Sequence, residues 1–216
     1  ELGLSRGFEH YEDYNVSPRE VLVSSSLARS VVNSGTVRRL FGYYDSFIRK
    51  SSATRNADFL RWLSRQNERP FFVFLNYFDA HEPYFPPTPF DVKFGPQVPR
   101  RNHFLTQDLR RAFRQDWQKR PPAEMQGERD AYDGAIAYID DQLGRLFDEL
   151  RRRGVLDNTL VIITSDHGAQ FGEHRHFLHG NSLDLPLVHV PLLIQFPLLV
   201  PADTVVSAPA SLRDLA

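Results

Sequence analysis

The chain has 216 residues, which is long enough for one large domain with a sizeable buried core. Hydrophobic residues at 41% and charged residues at 25% are ordinary globular values and argue against a disordered, fibrous or disulfide-stapled chain. The formal net charge of -1 provides no bulk field that would select nucleic acid or an anionic membrane as a partner.

Three features are absent from this sequence. Cysteine is absent, which removes disulfides, thiolate metal ligands and a Cys nucleophile from this stretch. No apolar run approaches the ~20 residues that a membrane-spanning helix needs. The chain begins Glu-Leu-Gly-Leu, without Met or a signal-peptide pattern, so we interpret its first residue as an internal cut. The cellular compartment and the oligomeric state stay open.

The first patterned elements lie between residues 51 and 77. Apolar residues recur at helical spacing from Ser51 and end near Asn67, which predicts a helix leading into Pro70. Phe71 to Tyr77 is then a continuous β-branched and aromatic run. This run predicts a central parallel strand buried on both faces.

A long excursion separates that strand from the next helix. Residues 83–122 hold eight prolines and many charges, which indicates a Pro-rich surface insertion with one helix near Leu109 to Lys119. A second helix is predicted from about Arg129 to Arg152, closed by Gly154. Its apolar face is formed by Tyr132, Ile136, Ile139, Leu143, Leu146 and Leu150.

Two further apolar runs follow that helix, Thr159 to Thr164 and Val190 to Phe196, and each predicts a strand. Alternation of helices with buried strands indicates an α/β fold with a mostly parallel sheet flanked by helices on both faces. We interpret residues 1–216 as part of a single domain. In such sheets the reactive groups collect beyond the carboxyl ends of the strands.

Metal-ligand chemistry follows both well-defined strands. The run Thr159 to Thr164 leads into Ser165-Asp166-His167-Gly168, which offers a carboxylate and an imidazole side by side. The alternative is a turn that Asp166 merely caps, and the two readings are about equally supported by these residues alone. The run Phe71 to Tyr77 leads into Asp79-Ala-His81, where His81 is equally well read as a loop histidine beside aromatic residues.

Five of the eight histidines fall within one short stretch, which raises the odds for a site: His167, His174, His176, His179 and His189. Histidine is a common metal ligand and a good donor to anionic oxygen, so the cluster suits a site that hydrolyses anionic esters. For His176 and His189 a packing or surface role is the better interpretation.

These residues follow one another as they do in the sulfatase family of the alkaline-phosphatase superfamily, which the chain resembles over nearly its whole length. The matching segments are Phe74-Leu-Asn-Tyr-Phe-Asp-Ala-His-Glu-Pro-Tyr84, Tyr138-Ile-Asp-Asp141, Val161-Ile-Ile-Thr-Ser-Asp-His-Gly168, Gly172-Glu-His174, His179-Gly-Asn-Ser182 and His189-Val-Pro-Leu-Leu-Ile194. The resemblance implies an alkaline-phosphatase-like core, of which this chain is the central, incomplete part.

The resemblance also implies roles for individual residues. Asp166 and His167 resemble two ligands of one divalent cation, with Ca²⁺ as the expected ion. His81 and His179 occupy positions that resemble the contacts to the sulfate oxygens, and His179 lies where it could act as a general acid. His174 resembles a neighbouring substrate-binding residue. The implied substrate is a small-molecule or carbohydrate sulfate ester.

Two features of the family are missing from the sequence. Relatives carry an N-terminal Asp pair and a Cys/Ser-x-Pro-x-Arg motif that becomes the formylglycine nucleophile, whereas the nearest string here is Val16-Ser-Pro-Arg19. We set Ser165 aside as a substitute because it precedes a ligand on a strand and is expected to make backbone hydrogen bonds, and Ser182 because it has no evident paired base. The nucleophile is therefore expected outside this chain, and the isolated chain is expected to be inactive. Two alternatives stay open: a phosphonate or phosphate ester hydrolase of the same superfamily, and a non-catalytic domain that lost its nucleophile.

Overall fold

The computed structural model describes residues 5–11, 25–26, 50–66, 69–96 and 116–215. Its α-helices are α1 (Ser52–Leu63), α2 (Pro122–Arg152) and the short α3 (Leu185–Val188). Its strands are β1 (Val161–Thr164), β2 (Gln170–Phe171), β3 (Phe177–Leu178) and β4 (Leu192–Gln195). Short 3-10 turns occupy Phe90–Val92, Asp116–Lys119, Leu156–Asn158, Glu173–Arg175 and Leu212–Leu215. None of the helices in these ranges has the length and apolar character needed to cross a bilayer.

Both long predicted helices are confirmed, and their ends follow from capping residues. Ser51 begins α1 by accepting a hydrogen bond from the backbone N–H of Thr54. Gly154 ends α2 with a φ of +70°, while its N–H and that of Val155 donate to the carbonyls of Arg151 and Leu150. This pair of bonds satisfies carbonyls that the helix leaves open, and the left-handed residue at its centre favours glycine.

The strands β1 and β4 are confirmed as elements, but their arrangement differs from the prediction. They pair antiparallel, with Val161 opposite Gln195 and Thr164 opposite Leu192. A second two-stranded sheet joins β2 and β3. Within the described ranges no parallel pair of strands occurs, so the mostly parallel sheet flanked by helices is not confirmed.

The segment Phe71 to Tyr77 is likewise not the doubly buried central strand that its composition predicts. It belongs to no sheet formed by described residues. Phe72 and Phe74 are 74% and 73% exposed, while the alternate residues Phe71 and Val73 are half-buried. One face of this extended segment is therefore covered and the other is open. A continuous apolar run specifies strand-forming residues, but it does not specify which partners cover them.

The Pro-rich insertion is described only in part, since residues 97–115, with most of the predicted helix near 109–119, lie outside the described residues. At its start the insertion is not a surface segment, because Pro83 and Tyr84 are buried. Residues 83–122 are thus charged and proline-rich as a whole, but their first residues are buried.

The chain divides into two compact units, Glu1–Leu143 with Phe171–Leu178, and Gly144–Gln170 with His179–Ala216. In the first unit the core consists of Tyr84, Ala131, Phe177 and Leu178, with Met125, Tyr132 and Phe171 packed against it. In the second unit the buried apolar residues are Leu146, Leu150, Leu156 and Leu187.

Candidate active site

The second unit brings together three of the predicted site residues, Asp166, His167 and His179. Asp166 and His167 follow β1 and are separated from its last residue, Thr164, by Ser165 alone. The backbone N–H of His167 donates to Asp166 Oδ1 at 3.0 Å, and His167 Nε2 lies 3.7 Å from Asp166 Oδ2. The rings of His167 and His179 are stacked, with centroids 4.2 Å apart and an interplanar angle of 27°. A carboxylate and two imidazoles thus form one cluster.

The hydrogen bonding of His167 defines its tautomer. Its Nδ1 lies 2.8 Å from the Gly168 carbonyl oxygen. A carbonyl only accepts, so Nδ1 carries the proton and Nε2 of the neutral ring presents its lone pair. A backbone carbonyl that holds the second nitrogen of an imidazole in this way is the usual support of a metal-binding histidine. The residues at this position fit a divalent cation held by Asp166 Oδ2 and His167 Nε2.

Gly168 lies where two backbone segments approach each other closely. Its N–H donates to the Leu187 carbonyl at 2.9 Å, and a Cβ at this position would lie 2.0 Å from the Pro186 carbonyl oxygen. Glycine is therefore required by close approach of two backbone segments. This contact fixes the Asp166-His167 pair against the N-terminal turn of α3.

The loop that carries His179 is held by a buried amide that the sequence analysis missed. Gln170 is fully buried; its Nε2 donates to Asp184 Oδ2 at 3.1 Å, and its Oε1 accepts from Ser182 Oγ at 3.4 Å. The same Ser182 Oγ accepts from the backbone N–H of Asp184 at 3.3 Å. A buried glutamine in an apolar neighbourhood is the signal that could have indicated this anchor, because such an amide needs partners.

Neither serine near the site has a nucleophile's surroundings. Ser165 Oγ donates to the His167 carbonyl, as expected of a serine that makes backbone hydrogen bonds. Ser182 Oγ is engaged by Gln170 and Asp184 as described. Activation of a serine requires a base within hydrogen-bond reach of the hydroxyl, and among the described residues the two hydroxyls are hydrogen-bonded to a side-chain amide and to backbone groups.

The other predicted site residues, His81 and His174, belong to the first unit. The Nδ1 atom of His81 lies 2.8 Å from the Glu82 carbonyl oxygen and 3.5 Å from the Glu82 carboxylate. Its ring stacks on Phe78 at 4.3 Å. Because Nδ1 is occupied by a carbonyl, Nε2 is the nitrogen of His81 that can meet a ligand.

His174 is exposed and has a left-handed backbone, with φ at +52°, as has Arg175 at +62°. The turn is held by Glu173, which directly precedes these residues. The Glu173 carboxylate accepts from the backbone N–H of Phe171 and pairs with Arg129 at 2.9 Å. Two consecutive non-glycine residues in this region carry strain that the surrounding contacts have to hold. The structure describes His176 as half-buried and His189 as exposed.

Comparison with known proteins shows which class of protein the chain resembles. The chain is similar to the multifunctional alkaline phosphatase superfamily protein PehA of Trinickia caryophylli, with 30% identity over 157 residues, 63% of this chain and 30% of the relative. It superposes on the crystal structure of the phosphonate monoester hydrolase of Agrobacterium radiobacter with a TM-score of 0.53 and 27% identity, over 69% of this chain and 34% of the other. These similarities indicate the alkaline-phosphatase superfamily.

The family follows from two further matches. An arylsulfatase of Clostridium perfringens is 30% identical over 140 residues, which is 57% of this chain and 27% of the relative. A family model described as Sulfatase matches residues 14–216. The chain belongs to the sulfatase family, as its sequence predicted. It spans less than a third of the length of the two curated relatives named here.

Proposed function

We propose that the protein hydrolyses sulfate esters, with a divalent cation bound by Asp166 and His167 and with His179 and His81 as contacts to the anionic group. The observation that carries this proposal is the pair of Asp166 Oδ2 and His167 Nε2, 3.7 Å apart, with the imidazole held in its metal-binding tautomer by Gly168. The bound cation would supply positive charge against the negative oxygens of the ester.

The two histidines give the proposed site its proton chemistry. The stacked face of His179 is covered by His167, so His179 interacts with a ligand through the edge of its ring. Protonated, such a ring donates a hydrogen bond to an ester oxygen and can pass the proton to the leaving alcohol. The Nδ1 atom of His81 is supported by the Glu82 carbonyl. When the His81 ring is also protonated, its Nε2 would donate to a second oxygen of the ester. His174 is proposed as a neighbouring substrate contact.

The nature of the ion is a separate part of the proposal. Ca²⁺ is the ion expected from the family resemblance, and it takes six to eight oxygen ligands. An imidazole is an ordinary ligand of Zn²⁺ and an unusual one of Ca²⁺. Metal analysis of the purified intact protein, followed by calorimetric titration with Ca²⁺ and with Zn²⁺ in wild type and Asp166→Ala, decides between them. Equal affinity in both proteins would remove Asp166 from the metal site.

A phosphonate or phosphate ester hydrolase is the second candidate function. It is supported by the relatives, since one similar structure is a phosphonate monoester hydrolase and the protein PehA is described as multifunctional. A sulfate monoester and a phosphonate monoester each carry a single negative charge on a tetrahedral group at neutral pH, whereas a phosphate monoester carries about -1.5 to -2. The histidines and the cation would therefore meet a tetrahedral anion in every case, with the same charge in the sulfate and the phosphonate.

The experiment compares an aryl sulfate, an aryl phosphonate monoester and an aryl phosphate as substrates of the intact protein. We expect His179→Ala and Asp166→Ala to lower kcat by about 10²-fold or more, the size of the loss when one transition-state donor is removed. The matched control is His189→Ala, because His189 is an exposed histidine ten residues from His179.

The outcomes separate the candidates. Turnover restricted to the phosphonate or phosphate substrate would refute sulfate ester hydrolysis and favour the second function. No turnover of any substrate by an intact, metal-loaded protein would favour the non-catalytic domain. Undiminished activity of His179→Ala would remove His179 from the catalytic residues.

A further inference from the structure

A buried polar network connects helix α1 to the segment that leads into His81. The Asp79 carboxylate accepts two hydrogen bonds from Ser52 at Oδ2, one from the backbone N–H at 3.0 Å and one from the side-chain hydroxyl. Ser52 is the first residue of α1 and is fully buried. Asp79 therefore satisfies one of the N–H groups that a helix leaves open at its start, and it does so from a segment 27 residues away.

A second tie lies one helical turn along α1. The Tyr77 hydroxyl donates to Asn56 Oδ1, and Asn56 Nδ2 donates to the Gln142 carbonyl at 2.8 Å. Residues 52 and 56 are four apart and so project from the same face of the helix. Burial raises the pKa of Tyr77, so its hydroxyl stays protonated and remains a donor at physiological pH. The segment 77–79 is thus fastened to α1 at two points.

The position of His81 depends on residues 77–79, which are hydrogen-bonded to α1. Its backbone N–H donates to the Phe78 carbonyl at 3.2 Å, which closes a tight turn, and its ring stacks on Phe78 at 4.3 Å. Phe78 lies between the two fastened residues. A shift of Asp79 relative to α1 would therefore move both the turn and the stacked ring.

We infer that Asp79 is a positioning residue for His81, and that its function depends on the acceptor oxygen that Ser52 binds rather than on a negative charge. The inference rests on the proposed function, because it takes His81 to be a substrate contact. An acceptor role requires only an oxygen at the position of Oδ2, which an asparagine also provides.

The electrostatics of Asp79 support an acceptor role. Burial raises the pKa of Asp79 above its usual value and outweighs the opposite influence of the Ser52 hydrogen bonds and of Arg55. A carboxylate that served through its charge would lie where the charged form is favoured. Here the surroundings disfavour the charge, while both donors of Ser52 point at the oxygen.

The test uses Asp79→Ala and Asp79→Asn in the intact protein, with Asp58→Ala as the matched control. Asp58 lies on the same helix and pairs with Lys50 at 3.0 Å and with Arg61 at 2.8 Å, so its loss removes a comparable polar tie. kcat and KM are measured on the best substrate well below the unfolding temperature, and deuterium uptake of residues 77–84 is measured by mass spectrometry.

We expect Asp79→Ala to lower kcat/KM by about 10²-fold, the loss that follows misplacement of a reacting group by about 1 Å. Asp79→Asn should restore most of the activity, and Asp58→Ala should keep it while lowering the unfolding temperature. Uptake in 77–84 should rise in Asp79→Ala alone. An Asp79→Asn protein as impaired as Asp79→Ala would overturn the acceptor role, and unchanged kinetics and uptake in Asp79→Ala would overturn positioning.

These readouts separate the inference from the proposed function. A wild-type protein that turns over none of the esters would refute the proposed function. The deuterium uptake still decides the structural claim in that case. A rise in Asp79→Ala that Asp79→Asn reverses supports the tie from Ser52 to the His81 segment, and equal uptake in all variants refutes it.

Discussion

The substitution Gly168→Ala tests whether close backbone packing fixes the Asp166-His167 pair. The added Cβ would lie 2.0 Å from the Pro186 carbonyl oxygen and 3.2 Å from its carbonyl carbon. Non-bonded heavy atoms prefer separations of about 3.5–4.0 Å, so the two segments have to separate by about 1.5 Å. The obstacle is backbone and cannot rotate away. Overpacking of this kind costs about 1–3 kcal/mol, which at about 2–4 °C per kcal/mol lowers the unfolding temperature by about 2–12 °C.

The matched control is Gly144→Ala, in the part of α2 that belongs to the same unit. A Cβ at Gly144 meets no atom within 4 Å. Alanine is favoured over glycine in a helix by about 0.5–1 kcal/mol, so this variant should unfold at the same or a higher temperature than wild type. Thermal unfolding by circular dichroism measures both, and calorimetry measures the divalent-metal affinity.

We expect Gly168→Ala alone to lose both stability and metal affinity, because the shifted segment carries Asp166 and His167. A Gly168→Ala protein as stable as Gly144→Ala would refute the argument from close approach. Loss of stability with unchanged metal affinity would show that the packing of Gly168 supports the fold without positioning the metal ligands.

Three other substitutions test the core and the titrating carboxylates. Phe177→Ala removes a ring that is 1% exposed and should cost about 3–5 kcal/mol in urea unfolding. The hydrogen bonds from Arg152 and Arg153 lower the pKa of Glu149 to about 2. The contribution of Glu149 to the free energy of unfolding is therefore present above its usual pKa and is lost as pH falls toward 2. In acid unfolding curves, Glu149→Gln should not show this loss of stability. Burial raises the pKa of Asp79. Its contribution to the free energy of unfolding is therefore present below the usual carboxyl pKa and is lost as pH rises through the pKa of Asp79 in the folded protein. Asp79→Asn should remove that part of the pH profile of unfolding.

Local patterns were sufficient to predict the two long helices and two of the strands. The apolar stripe of α2 and the glycine that ends it are both encoded within the element, and the same holds for the apolar runs of β1 and β4. The direction in which β1 and β4 pair was not predictable, because an apolar run indicates burial but does not indicate which strand pairs with it. The exposure of Phe72 and Phe74 was not predictable for the same reason.

The candidate site was predictable as a set of residue types and only partly as a geometry. An Asp-His-Gly string after a strand and a cluster of histidines pointed to Asp166, His167 and His179, which the structure places in one unit. The stacking of the two rings depends on where the loop after β3 returns, and the sequence does not encode this locally. The anchors Gln170 and Asp79 were missed for the same reason, since each acts through residues distant in the chain.

The chain is similar both to an arylsulfatase and to a phosphonate monoester hydrolase, and the proposed site suits an ester of either kind. Sulfate and phosphonate monoesters present a tetrahedral group with one net negative charge, so an imidazole N–H and a divalent cation bind the oxygens of either one. Discrimination between them then falls to residues that contact the organic parts of the substrate. Substitution of His179 should therefore lower kcat/KM for sulfate and phosphonate esters alike, whereas substitution of a residue that contacts only the organic part should change the ratio of kcat/KM between them.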